Sequence, residues 1–254
     1  MELNNQKFIP GAGPFYLSGN DVGIVMVHGG GGGTSADLKV IAEDLHKMGG
    51  YTINVPLLPG FGTSPEDLRK ISIKQWFFAL NKEISLLREK CNKIIVGGHS
   101  MGGVLTLILA SKNHFDGIFT INAPYGIQHF LIHLVPFFKI FVKYYNIESE
   151  KFKKDTNGKW VGYDKIPLNI GTKMKHLLKQ MKRSLWKINS PALLFQGLLD
   201  SDIKKNSMDN IFYKINSKKK KKVWLENNGH PILLCPDHDQ IVIELINFIT
   251  ELCP

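Results

Sequence analysis

Short unbroken apolar runs alternate along this chain with longer stretches in which apolar residues recur every three or four positions. Gly23-Ile24-Val25-Met26-Val27-His28, Tyr51-Thr52-Ile53-Asn54-Val55, Lys93-Ile94-Ile95-Val96, Gly117 to Asn122, Ala192 to Gly197 and Val223 to Glu226 are of the first kind. Apolar on both sides of the pleat, they predict strands of a parallel sheet covered on both faces. Between them the period is helical. Ser35 is placed to cap a helix through Leu38, Ile41, Leu45 and Met48, closed by Gly49-Gly50. Ser64-Pro65-Glu66 starts a short helix, and Ser72 with Gln75 forms a capping box for one carrying Trp76, Phe77, Leu80, Ile84 and Leu87. Leu105 to Ala110 and Asp237 to Leu252 complete the set, so strand and helix alternate as in an α/β fold.

The alternation pauses between about Tyr125 and Lys187, which carry no strand signal. Two helical stretches, Phe130 to Tyr145 and Thr172 to Lys182, flank the polar span Glu148 to Lys159. The size and character are those of a helical cap (lid), 125–187, inserted into a core of residues 1–124 and 188–254. The aromatic run Phe137 to Tyr145 would seal the lid to the body or line a passage for an acyl chain. The lysines Lys218 to Lys222 read as a solvated hairpin or loop approaching an edge strand.

Composition narrows the function classes. With 254 residues and 43% hydrophobic content the chain can bury a full core as one domain with an insertion. No apolar run approaches the ~18 residues of a membrane span, and Met1 to Lys7 lacks a secretory pattern. Three cysteines, Cys91, Cys235 and Cys253, have no metal-ligand spacing and suit reduced thiols in a cytoplasmic protein. The net charge of +10 is almost all lysine, because the only arginines are Arg69, Arg88 and Arg183. Nucleic acid is therefore not an expected partner, while a weak attraction to anionic membrane surfaces is.

The candidate chemistry lies where a strand turns sharply into a helix, at Gly98-His99-Ser100-Met101-Gly102. A serine at such an apex is presented by a tight turn, and the Met101 amide at the helix start faces any oxygen that gains charge when the serine attacks a carbonyl. A nucleophilic serine needs a base and the base needs an acid. Of nine histidines, His230 lies in a loop directly after a late strand. Asp200 follows the preceding strand, with Asp202 as its competitor. The glycines Gly29 to Gly33 do not make a dinucleotide loop: the Gly-x-Gly-x-x-Gly spacing fails at Thr34, and no carboxylate ends the next strand. They read instead as a strand end whose Gly30 amide is free to donate to an oxyanion.

His28-Gly29, Gly98-His99-Ser100-Met101-Gly102-Gly103, Asn122-Ala123-Pro124, Tyr163-Asp164-Lys165-Ile166-Pro167, Asp200 and Trp224 to His230 follow in an order and spacing that resemble the α/β-hydrolase superfamily. Within it the likeness is to small capped bacterial carboxylesterases and monoacylglycerol lipases. The resemblance implies a mostly parallel central sheet with helices on both faces and the lid after the strand at 117–122. It also implies a catalytic triad of Ser100, Asp200 and His230, an oxyanion hole of the Gly30 and Met101 amides, and no metal or cofactor. The expected substrate is a small acyl ester of short to medium chain length. The alternatives are a silent hydrolase-fold binding protein, or a thioesterase, peptidase or carbon–carbon bond hydrolase.

Overall fold

The apolar runs become a seven-stranded sheet in the computed structural model, which describes residues 8–128 and 143–253. Nine strands fall within the described residues: β1 (Phe15–Leu17), β2 (Val22–Val27), β3 (Thr52–Val55), β4 (Lys93–His99), β5 (Gly117–Ile121), β6 (Tyr144–Asn146), β7 (Lys165–Pro167), β8 (Ala192–Gly197) and β9 (Lys220–Leu225). The large sheet has the order β1-β3-β2-β4-β5-β8-β9, and every pairing is parallel except that of β1 with β3. β6 and β7 form a separate antiparallel pair.

Helices α1 (Lys39–Gly49) and α8 (His238–Leu252) cover one face; α3 (Ile73–Arg88), α4 (Met101–Ala110) and α6 (Asn169–Ser184) cover the other. Strand alternation sorts the side chains between them. Ile24 and Met26 of β2 pack with Ile41, Leu45, Ile241 and Leu245, whereas Val25 and Val27 pack with Trp76, Leu80, Val104 and Leu177. Each of these residues is essentially buried, contributing on the order of 1.5–3 kcal/mol. Helix α4 is buried at all ten positions, which is why its sequence is apolar all round.

The capping box of α3 forms as expected, with Ser72 Oγ accepting from the Gln75 amide and Gln75 Oε1 accepting from the Ser72 amide. Ser64 likewise caps α2 (Pro65–Lys70) by accepting from the Asp67 amide at 3.1 Å. Some elements differ from expectation. A 3-10 turn, Ser35–Leu38, precedes α1, so the capping oxygen belongs to Thr34 rather than Ser35, and Met48 falls off the apolar stripe to lie 60% exposed. Of the lysine run, Lys218 and Lys219 lie in a loop leading into an edge strand, whereas Lys220, Lys221 and Lys222 lie in that strand, β9, in register with Ala192, Leu193 and Leu194. Lys220 Nζ donates to the Phe212 and Ile215 carbonyls around the end of α7 (Ser207–Lys214), while Lys221 pairs with Glu244 and Lys222 with Asp209.

Between Tyr125 and Lys187 the polar span contains α5 (Ser149–Asp155), and α6 encloses the expected Thr172 to Lys182 helix. Strands β6 and β7 were not anticipated there. Most of the expected Phe130 to Tyr145 helix lies outside the described residues; Tyr144 and Tyr145, within them, are in β6.

Candidate active site

Ser100 stands between β4 and α4 with φ 53° and ψ −118°, a left-handed backbone that costs a residue with a Cβ on the order of 1–2 kcal/mol. The surroundings hold it there. Its amide donates to the Ile121 carbonyl at 2.9 Å. A Cβ on Gly102 would stand 2.0 Å from the Val27 carbonyl oxygen, and one on Gly98 2.5 Å from the Gly102 carbonyl carbon. The two glycines of the pentapeptide are thus required by backbone meeting backbone.

The strand ends bring the other candidates to this turn. His230, in the loop after β9, has Nε2 2.9 Å from Ser100 Oγ and Nδ1 2.8 Å from Asp200 Oδ2. Asp200, in the loop after β8, is buried, and its Oδ1 accepts the amides of Asp202 at 2.9 Å and Ile203 at 3.3 Å. Asp202, the competing acid, supplies an amide to Asp200. With Asp200 ionised, Nδ1 carries the imidazole proton and Nε2 is left to accept from the Ser100 hydroxyl. Burial alone would lower the His230 pKa. The hydrogen bond and charge of Asp200, aided by Asp202, outweigh it and raise the pKa above the ordinary value.

Two residues noted only as parts of motifs turn out to hold the His230 loop. Asn122 follows β5 at φ 52° and is fully buried. Its Nδ2 donates to the carbonyls of Gly229 and His230, each at 2.9 Å, and its Oδ1 accepts from the Gly197 amide at 2.8 Å. His99 Nε2 donates to the same His230 carbonyl at 2.8 Å. Burial, with the nearby His230 adding, lowers the His99 pKa to about 3, so the ring is neutral. A polar residue at a strand end, in a conformation that asparagine tolerates, was the available signal for Asn122.

The glycine-rich loop lies against the serine turn. A Cβ on Gly30 would stand 3.2 Å from Met101 Cβ, and one on Gly29 3.4 Å from Ser100 Cβ. The two candidate oxyanion donors therefore belong to neighbouring backbone segments beside Ser100. His28 is structural: its Nε2 accepts the Leu58 amide at 3.0 Å while Nδ1 donates to the Gly29 carbonyl at 2.8 Å. Burial drops its pKa to about 4, against the smaller opposing effect of the Gly29 bond. From the other side, the Tyr163 amide donates to the Gly32 carbonyl at 3.0 Å and Thr34 Oγ1 donates to the Val161 carbonyl at 2.9 Å.

A serine, a histidine and a buried carboxylate joined in this order can generate a nucleophilic alkoxide and return its proton to a leaving group. The chain is similar over nearly its whole length to known hydrolases. The chain is 32% identical over 245 residues to a thermostable monoacylglycerol lipase of Bacillus sp. (strain H-257), covering 96% of each. It is 25% identical over 243 residues to a carboxylesterase of Bacillus subtilis (strain 168), covering 94% of this chain and 96% of that one. A solved structure from work on the metagenome-derived lipolytic enzymes LipS and LipT superposes with a TM-score of 0.87 at 25% identity, covering 96% of this chain and 100% of that one. The model of the serine aminopeptidase S33 family matches residues 19–237, and the chain belongs to that family of α/β-fold serine hydrolases.

Proposed function

We propose that this chain is a carboxylic-ester hydrolase of the carboxylesterase or monoacylglycerol lipase type, working through a Ser100–His230–Asp200 triad and an acyl-enzyme. The observation that carries the reading is the unbroken hydrogen-bonded chain, 2.9 Å from Ser100 Oγ to His230 Nε2 and 2.8 Å from His230 Nδ1 to Asp200. Ser100 Oγ attacks the ester carbonyl carbon as its proton passes to His230 Nε2. The amides of Gly30 and Met101 stabilise the oxyanion, each contributing ~3–4 kcal/mol to the barrier reduction. Collapse of the tetrahedral intermediate breaks the ester C–O bond, and the alcohol leaves with the proton from His230. Water, deprotonated by His230, then attacks the acyl carbon and frees the acid and Ser100.

Residues 125–187 serve as the lid of this site, over a core of residues 1–124 and 188–254. The tie from Tyr163 and Val161 to the glycine loop supports that role, because it sets the segment beside the Gly30 donor. The lid's apolar content favours short-to-medium acyl chains. A p-nitrophenyl ester series from acetate to palmitate should show kcat/KM greatest at butyrate to octanoate. A maximum at acetate that falls steeply with length would contradict the acyl passage. The family description carries a second reading, an aminopeptidase, which predicts faster turnover of leucine p-nitroanilide than of p-nitrophenyl butyrate.

A further inference from the structure

A cavity of about 410 Å³ opens between the C-terminal ends of α4 and α6, and its lining includes Lys112, His176, Lys179, Arg183, Ser184 and Lys187. It belongs to no part of the site above: α4 begins beside Ser100 and ends here, ten residues on, so about 15 Å of helix separates the two. No carboxylate lines it, and the sequence holds no Asp or Glu from Lys165 to Leu199. Among the described residues, no ion pair involves Lys112, Lys179, Arg183 or Lys187.

Basic residues at helix C-termini commonly complement the exposed carbonyls there. Here other groups already do so. At the end of α4, Ser111 Oγ donates to the Ile108 carbonyl at 2.7 Å and Asn113 Nδ2 to the Leu109 carbonyl at 3.1 Å. At the end of α6, Ser184 Oγ donates to the Gln180 and Met181 carbonyls, and Trp186 Nε1 to that of Arg183. The cationic heads are left over. Lys112 and Lys187 lie over the rings of Phe77 and Trp186, at 5.5 and 5.3 Å, which places their charges without neutralising them. Four cationic residues thus line one concave surface that no carboxylate shares, and a ligand of several negative oxygens balances their charge.

We infer that this cavity is a binding site for a phosphate-bearing anion, with Lys112, Lys179, Arg183 and Lys187 as its ligands. The phosphate can come from a soluble compound or from a lipid headgroup, and the inference does not depend on the esterase reading. The test is calorimetric titration of the full chain with inorganic tripolyphosphate, beside cosedimentation with vesicles of phosphatidylglycerol in phosphatidylcholine and of phosphatidylcholine alone. Lys179→Gln/Arg183→Gln is compared with Lys39→Gln/Lys47→Gln, which removes the same charge from α1 across the sheet. One-to-one tripolyphosphate binding, weakened at least about tenfold by the first pair only, assigns a soluble source. Vesicle binding alone, lost by the first pair only, assigns a headgroup. Equal weakening by both pairs, or no binding of either probe, overturns the site. Unchanged unfolding temperatures show that the variants fold.

Discussion

Asp200 orients the His230 ring and stabilises its charged form, and these two effects separate in one variant. In the proposed mechanism catalysis needs neutral His230, so activity should fall as pH drops through its pKa, which Asp200 raises above the ordinary histidine value. Asp200→Asn removes the raising charge and leaves the lowering effect of burial. The acid limb of kcat/KM should then move to lower pH, while the plateau falls about 10³–10⁴-fold because Nδ1 loses its acceptor. An unmoved limb would mean that another group titrates. Asn122 acts one step further back, through the carbonyls of Gly229 and His230. Asn122→Gly keeps the left-handed backbone but loses three hydrogen bonds. It should cost about 2–4 kcal/mol of stability in denaturant unfolding and lower kcat more than it raises KM. That Ser100, His230 and Asp200 would meet was legible, because each lies just beyond a strand, β4, β9 and β8, and the chemistry proposed for them calls for those residue types. The roles of Asn122 and His99 were not, since they depend on a carbonyl contributed from more than one hundred positions away.

Elements differ in how much of their identity is local. Strands β2, β4, β5 and β8 are buried on both faces and were readable as continuous apolar runs. Strands β1, β6 and β7 are three residues long, too short for any period to register. The lysines of β9 follow the same logic in reverse. Their ammonium groups reach α7 and the side chain of Glu244 on α8, so a run that looks solvated is half anchored, while charge at the edge still discourages further pairing. Tyr163 is where the 125–187 segment meets the body most specifically: its hydroxyl donates to the Gly60 carbonyl at 2.7 Å and accepts the Thr63 amide at 2.9 Å. Tyr163→Phe should lower stability by about 1–3 kcal/mol in thermal or denaturant unfolding, with the triad geometry left in place. A loss below a few tenths of a kcal/mol would show that these bonds are replaced by water.

At the scale of the whole molecule, one sheet sets the positions of residues that are distant in sequence. Because β4, β5, β8 and β9 are parallel neighbours, their C-terminal ends emerge together, and the loops carrying Ser100, Asn122, Asp200 and His230 converge there. Burial of both sheet faces made the architecture legible. What the chain presents to solvent, including the basic cavity at the far end of α4, leaves no periodic trace, because it is set by how separate elements meet. The central claim, that Ser100 is a nucleophile on this scaffold, is tested by hydrolysis of p-nitrophenyl butyrate by the wild type beside Ser100→Ala, with fluorophosphonate labelling located by mass spectrometry. The account predicts turnover and a single label at Ser100 in the wild type, and at least about a thousandfold loss of rate with no label in the variant. Turnover that survives Ser100→Ala, or a label on another residue, would contradict it.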